Sequence, residues 1–205
     1  LARIPKFTYK NDEIFHATIE VSHFGNAVLD STKTTYTIRD EYGKIYYKEI
    51  SNNRTIPVGN CIQLGEVNYP LASITSPAKL NLEVCIEGTH FANDWDFWVY
   101  PAVVETNQGN VYITDTFNEK ALETLASGGN VLITAARKIT YGQGIVQQFT
   151  PVFWNTSWFK MRPPHTTGIW VNNNHPLFKN FPTEYHSNLQ WWELLNNAQV
   201  MLFSD

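Results

Sequence analysis

The chain has 205 residues, 43% of them hydrophobic, 14% aromatic and 17% charged, with a formal net charge of −4. That much apolar material builds a core and excludes a disordered chain. The acidic balance, with no Lys/Arg cluster, speaks against a nucleic-acid partner, and no apolar run approaches the roughly 18 residues of a membrane span.

Residues 1–101 read as β-strands throughout. The first residues, Leu1 to Lys6, carry no apolar signal-peptide stretch, and a start without Met reads as a processed piece of a longer chain. A short run at 7–9 comes first. Phe15, Ala17, Ile19 and Val21 then alternate with His16, Thr18, Glu20 and Ser22, the period of a strand with one buried face. Tyr36 and Ile38 alternate with Thr35 and Thr37, and the turn at Asp40 to Gly43 leads into 45–47 as a hairpin. Further strands are predicted at 61–67, 80–86 and 95–100. Leu80, Leu82, Val84 and Ile86 share one face, which places Cys85 on the other. Cys61 likewise lies opposite Ile62 and Leu64. Whether the two thiols meet within the ~7 Å that a disulfide needs is left open by the sequence. Seven short strands without a helical stretch predict an antiparallel β-sandwich of immunoglobulin type, although the Cys–Trp–Cys pattern of true immunoglobulin domains is absent.

From residue 102 the period changes. A short apolar strand at 111–114 precedes a segment with apolar residues at 121, 122, 125 and 126, which is helical spacing. Asn118 is placed to cap it, and Ser127, Gly128 and Gly129 to stop it. The run 130–136 is nearly all apolar, as in a buried parallel strand. These segments form a β-α-β unit, so residues 102–205 are predicted to be an α/β domain, truncated or built on an aromatic-rich insertion. A short helix is expected at 189–195 and a last strand at 200–203. All seven Trp lie between positions 95 and 192, which separates the two regions by composition.

Chemistry is harder to find. None of the six His (16, 23, 90, 165, 175, 186) pairs at the helical spacing of a zinc site, so no metal is expected. Gly142 and Gly144 form a lone GxG that reads as a turn, and no cofactor is expected. No GxSxG is present, and Ala135 and Ala136 stand where an α/β enzyme places its nucleophile. Asp94 with Asp96, and Glu184 with Glu193, are acid pairs, but none has a scaffold that sets two carboxyls about 5–9.5 Å apart across a groove. A structural or interface use is the better reading, and no catalytic residue is assigned. The strongest signal is aromatic. Trp154, Trp158, Arg162 and His165, with His186, Trp191, Trp192 and Glu193, combine flat apolar rings and polar tips, as a carbohydrate subsite requires. The same rings would equally fill an interface.

The segments 150–165, 175–183 and 185–194 resemble the C-terminal part of bacterial family 2 glycoside hydrolases, the β-galactosidase-like "sugar-binding" proteins common in gut Bacteroidetes. The carrying residues are Phe153, Trp154, Asn155, Trp158, Phe159, Arg162 and His165; Pro176, Phe178 and Phe181; and Tyr185, Asn188, Trp191 and Trp192. Residues 1–101 are similar to the immunoglobulin-like module that precedes this part, ending in Asn93, Asp94, Trp95, Asp96, Phe97, Trp98 and Val99. The resemblance implies that the sugar-cleaving carboxylates belong to a catalytic domain upstream. It also implies that residues 102–205 are a degenerate flavodoxin/glutamine-amidotransferase-like domain, inactive because no Cys follows Cys85.

The expectation is therefore a non-catalytic accessory region of an exported glycoside hydrolase acting in carbohydrate degradation, periplasmic or at the cell surface. It would support the catalytic domain or its homo-oligomerisation. The alternative is a carbohydrate-binding module acting through the eight residues named above. A third reading is an autonomous hydrolase using Asp or Glu near these aromatics.

Overall fold

The structure is a computed structural model, described here for residues 1–105, 109–135, 137–138 and 168–200. The chain divides into two compact units. The first comprises Leu1–Val103 together with Asn174–Thr183, and the second Val104–Asn173 with Glu184–Asp205.

The first unit is β-rich. Its strands are β1 (Ala2–Arg3), β2 (Thr8–Lys10), β3 (Ile14–His23), β4 (Leu29–Thr32), β5 (Thr34–Asp40), β6 (Ile45–Ile50), β7 (Arg54–Ile56), β8 (Gly59–Pro70), β9 (Ala78–Ile86) and β10 (Ala92–Tyr100). They form a three-stranded sheet in the order β1-β3-β8, a five-stranded sheet in the order β2-β10-β9-β5-β6, and a β4-β7 pair. The seven strands that the alternation predicts correspond to β2, β3, β5, β6, β8, β9 and β10. β1, β4 and β7, at two to four residues each, are too short to display a period.

The two larger sheets share one core. Phe15, Ala17 and Ile19 of β3 and Leu64 and Val67 of β8 meet Tyr36 and Ile38 of β5, the Leu80–Ile86 alternation of β9, and Phe97 and Val99 of β10. Phe15 and Phe97 stack at 4.1 Å between ring centroids, and Tyr9 of β2 closes the trio at 5.5 Å and 5.9 Å. Truncating a fully buried Phe such as Phe15 costs about 3–5 kcal/mol, so this trio is a principal tie between the sheets. Burial pushes the Tyr9 phenol up to about 12.

One pairing departs from the all-antiparallel expectation. β2 runs parallel to β10, with Val99 opposite Tyr9. No tight turn joins these strands, so hairpin geometry does not dictate their direction. At the other end of β3 a bulge places Gly65 opposite Ile19 and Gln63 opposite Glu20. A Cβ on Gly65 would lie 2.7 Å from Tyr36 Oη, so close approach requires glycine here. A second irregularity falls at Cys61, whose φ of 51° lies in the left-handed region. Cys61 and Cys85 are both free thiols and lie in different sheets.

Both faces of β10 are covered in its second half. Phe97 and Val99 enter the core, and Trp98, which faces the other way, is only 1% exposed. The Lys79 ammonium lies 5.9 Å from the centre of the Trp98 ring. Two residues along, Tyr100 is tilted 6.1 Å from Phe181, which the returning segment Asn174–Thr183 supplies to this unit. Burial raises the Tyr100 phenol strongly.

The second unit contains β11 (Val111–Thr114), α1 (Glu119–Ala126) and β12 (Asn130–Ile133), with β11 and β12 parallel. Asn118 caps α1, its Oδ1 accepting from the Ala121 amide at 3.0 Å, and Gly128 follows the helix with φ 79°. β12 is shorter than the 130–136 run and is not the buried strand that run predicts. Leu132 and Ile133 are 51% and 37% exposed, because β11 is the only strand paired with β12 among the described residues. The segment 189–195 forms a 3₁₀ turn at Leu189–Trp191 that leads into α2 (Trp192–Asn196). The strand expected at 200–203 extends beyond the described residues. No helix of the described residues is long and apolar enough to cross a membrane.

Candidate functional site

The aromatic cluster of the second unit is built on a short two-strand clamp. Trp170 and His186 pair as an antiparallel bridge. The Val171 amide donates to the Tyr185 carbonyl at 2.7 Å, and the Ser187 amide to the Ile169 carbonyl at 3.1 Å. The Ser187 hydroxyl accepts from the Ile169 amide. Gly168, with φ 111°, lets the chain pass the Ser187 side chain where any Cβ would collide.

The clamp fixes a row of rings. Trp170 lies 5.1 Å from Tyr185, and Tyr185 lies 4.7 Å from the His186 imidazole. Trp170 is 79% exposed, Tyr185 54% and Trp192 44%. A backbone bridge thus holds apolar rings in water, an arrangement that costs hydration free energy unless a ligand or a partner covers it. Glu184 and Asn188 lie beside the row, the Asn188 amide donating to Glu184 Oε2 at 2.8 Å.

The structure separates the sequence candidates. His186, Trp192 and Glu193 are exposed, and Trp191 is buried. Trp191 and Trp192 are adjacent at the junction of a 3₁₀ turn and α2, so one ring turns inward and its neighbour outward. Glu193 sits in the first turn of α2, where a negative charge is favourable. Trp154, Trp158, Arg162 and His165 lie outside the described residues. Trp170 and Tyr185 are the rings that sequence reasoning left off the candidate set. Trp170 stands between Ile169 and Val171, an apolar setting that carries no sequence signal for an exposed ring.

The acid pair of the first unit has a different environment from a glycosidase cleft. Asp94 and Asp96 project from the same face of β10, and one amide joins them: Asn81 Nδ2 donates to Asp94 Oδ2 at 2.7 Å and to Asp96 Oδ1 at 2.9 Å. Lys79 pairs with Asp96 at 2.8 Å. In the second unit Lys138 pairs with Asp115 and holds that carboxyl below the usual carboxylate range. Among the described residues no three His, Cys, Asp or Glu side chains gather to hold a metal ion.

Residues 13–101 match a family described as a domain of unknown function (DUF8488). Residues 112–205 match a second, also described as a domain of unknown function (DUF8487). No curated protein matches the chain. Among solved structures, a family 123 glycoside hydrolase from Clostridium perfringens, described for glycolipid glycan hydrolysis, is similar at a TM-score of 0.32 and 10% identity. That likeness covers 60% of this chain and 30% of the other, a level that does not establish a shared fold.

Proposed function

We propose that this chain is a non-catalytic accessory region of a carbohydrate-degrading glycoside hydrolase of the family 2 type. Residues 1–101 would be an immunoglobulin-like β-sandwich and residues 102–205 a degenerate amidotransferase-like α/β domain, both within an exported protein. Its role is to support the catalytic domain or the subunit assembly. The observation that carries this reading is the apolar surface of the β11-α1-β12 unit. Val111, Ile113, Leu122, Leu125, Leu132 and Ile133 are 36–52% exposed on two strands and one helix. Val111, Ile113 and Leu132 share one face of the strand pair and Ile133 the other, and half-exposed apolar side chains on neighbouring elements support an interaction role.

The test combines two measurements on the purified chain. Sedimentation velocity over a concentration series should show association that a Leu125→Glu/Leu132→Glu double variant abolishes while remaining folded. A panel of chromogenic glycosides should remain intact. Hydrolysis that survives purification and disappears on substituting one Asp or Glu would make the chain an autonomous enzyme and end the accessory reading.

The exposed rings Trp170 and Tyr185, with the nearby His186, favour the second reading, a carbohydrate-binding module. Rings that face water stack on sugar faces, and Glu184, His186 and Asn188 supply polar contacts. Intrinsic fluorescence should then change saturably with one sugar class, and Trp170→Ala should remove the change without altering the unfolding midpoint. A response unaffected by Trp170→Ala would move the site elsewhere.

A further inference from the structure

The outer face of the five-stranded sheet holds a cavity of about 420 Å³ that the aromatic site does not use. This volume falls within the roughly 300–1,000 Å³ of small-molecule sites. Three strands build it in register. Arg39 of β5 lies opposite Asn81 of β9, and Asn81 lies opposite Asp96 of β10. One step along, Glu83 lies opposite Asp94. The side chains of such a row stand on one face of the sheet at strand spacing, about 4.8 Å apart.

The charges are mostly settled within the row. Arg39 pairs with Glu83 at 2.7 Å, and Lys79 with Asp96 at 2.8 Å. Asn81 spends its amide hydrogens on Asp94 and Asp96. Its carbonyl Oδ1 and the second Asp94 oxygen remain as acceptors in the lining, which the Arg39 guanidinium, held by Glu83, also joins. The floor therefore presents a carboxylate oxygen, an amide oxygen and a planar cation in fixed positions. Acids outnumber bases in the lining, with Asp40, Glu41, Glu83, Asp94 and Asp96 against Arg39 and Lys79. An anionic ligand such as phosphate is disfavoured by that excess. Asp40 already accepts from the Tyr42 and Lys44 amides and the Tyr46 hydroxyl, and the two bases hold Glu83 and Asp96, so Glu41 and Asp94 are the lining carboxylates that face the cavity as open acceptors. A ligand with several hydroxyls satisfies both kinds of group: each hydroxyl donates to an acceptor and accepts from the guanidinium.

We propose that this cavity is a binding site for an uncharged saccharide, held edge-on by Asn81, Asp94 and Arg39 rather than stacked on a ring. The proposal rests on the carbohydrate reading above and places a hydroxyl-reading site in the first unit, separate from the Trp170 row.

The test is residue-resolved NMR of the whole chain during titration with methyl β-galactoside, methyl β-glucoside and their β-linked disaccharides, and in parallel with calcium chloride and putrescine. The expected result is a saturable shift of the Asn81 side-chain amide and the Asp94 backbone amide with one glycoside. Asp94→Asn, which keeps the shape, should weaken it roughly tenfold or more, the worth of one charge-assisted hydrogen bond. Asn81→Ala should remove the shift of the Asp94 backbone amide, and the Trp170 indole signal should be unchanged in both variants. Shifts with calcium or putrescine alone would make the cavity a cation site and overturn the proposal. Shifts confined to the Trp170 indole would overturn this site and leave the carbohydrate reading standing. A spectrum silent to every sugar would end both.

Discussion

Gly65 and Tyr36 show how tightly single residues specify the first unit. A Cβ at position 65 would lie 2.7 Å from Tyr36 Oη and 3.3 Å from Cζ, and Tyr36 is 2% exposed. The ring has no room to retreat, so Gly65→Ala should cost about 1–3 kcal/mol of unfolding free energy. In the Tyr36→Phe background the closest atom is gone, and the cost of Gly65→Ala should shrink. Denaturant unfolding of the four-member cycle measures the coupling; purely additive effects would contradict a steric origin. Tyr9 offers a test by pH. Its phenol titrates near 12 in the folded chain against an ordinary value of 10. The unfolded chain therefore releases this proton first, so Tyr9 favours the folded state fully below pH 10, and that contribution is lost as pH rises toward 12. The thermal midpoint should fall across this window, and Tyr9→Phe should make the fall shallower. An unchanged slope would show that Tyr9 does not carry it. Tyr47 titrates in the same window, raised to about 12 by burial and then by its hydrogen bond to the Glu49 carboxylate, so Tyr9→Phe removes only one share.

Elements differ in how far local sequence decides them. α1 is specified from within, since Asn118 Oδ1 accepts from the Ala121 amide, and its Nδ2 donates to the Tyr112 and Thr114 hydroxyls of β11 at 3.3 Å. Asn118→Ala should cost about 1 kcal/mol and speed amide exchange at Ala121. Asn118→Asp should restore the exchange protection while losing the Nδ2 donation to the β11 hydroxyls. Equal exchange in both variants would show that the acceptor is not what holds the helix start. β3 and β9 were legible for a comparable reason, because long period-two runs such as Phe15, Ala17 and Ile19 have one stable orientation against a core. The β2–β10 pairing was not legible, since the residues between Lys10 and Ala92 contain no local instruction for its direction. The burial of Trp98, on the polar side of its strand, likewise depends on another element, since Lys79 of β9 lies over its ring. β12 misled in the opposite sense. An all-apolar run records that a surface is meant to be covered and does not say by what. The candidate site was half legible. Trp191 and Trp192 look alike as sequence, and only the turn into α2 makes one core and the other surface. Trp170 lacked a nearby motif, and its role depends on a partner sixteen residues on, His186, which no spacing rule connects.

At the scale of the molecule, the two units do not follow the order of the chain. The first unit takes Leu1–Val103 and then Asn174–Thr183, so a piece ending at residue 103 lacks Phe181 beside Tyr100. Such a piece should still show the β-sheet signature of β1–β10 but unfold at a lower midpoint than the same unit in the whole chain. Adding a peptide of residues 174–183 should recover part of the loss, and identical midpoints with and without it would show that this segment contributes no stability. The arrangement also sets a timetable. A ribosome adds roughly 5–20 residues per second, and about 80 residues separate Val103 from Thr183. The first unit therefore waits on the order of 10 s for its last segment. During that interval Tyr100 lacks the Phe181 ring, so the C-terminal end of β10 is the last part of the unit to be completed as the chain emerges.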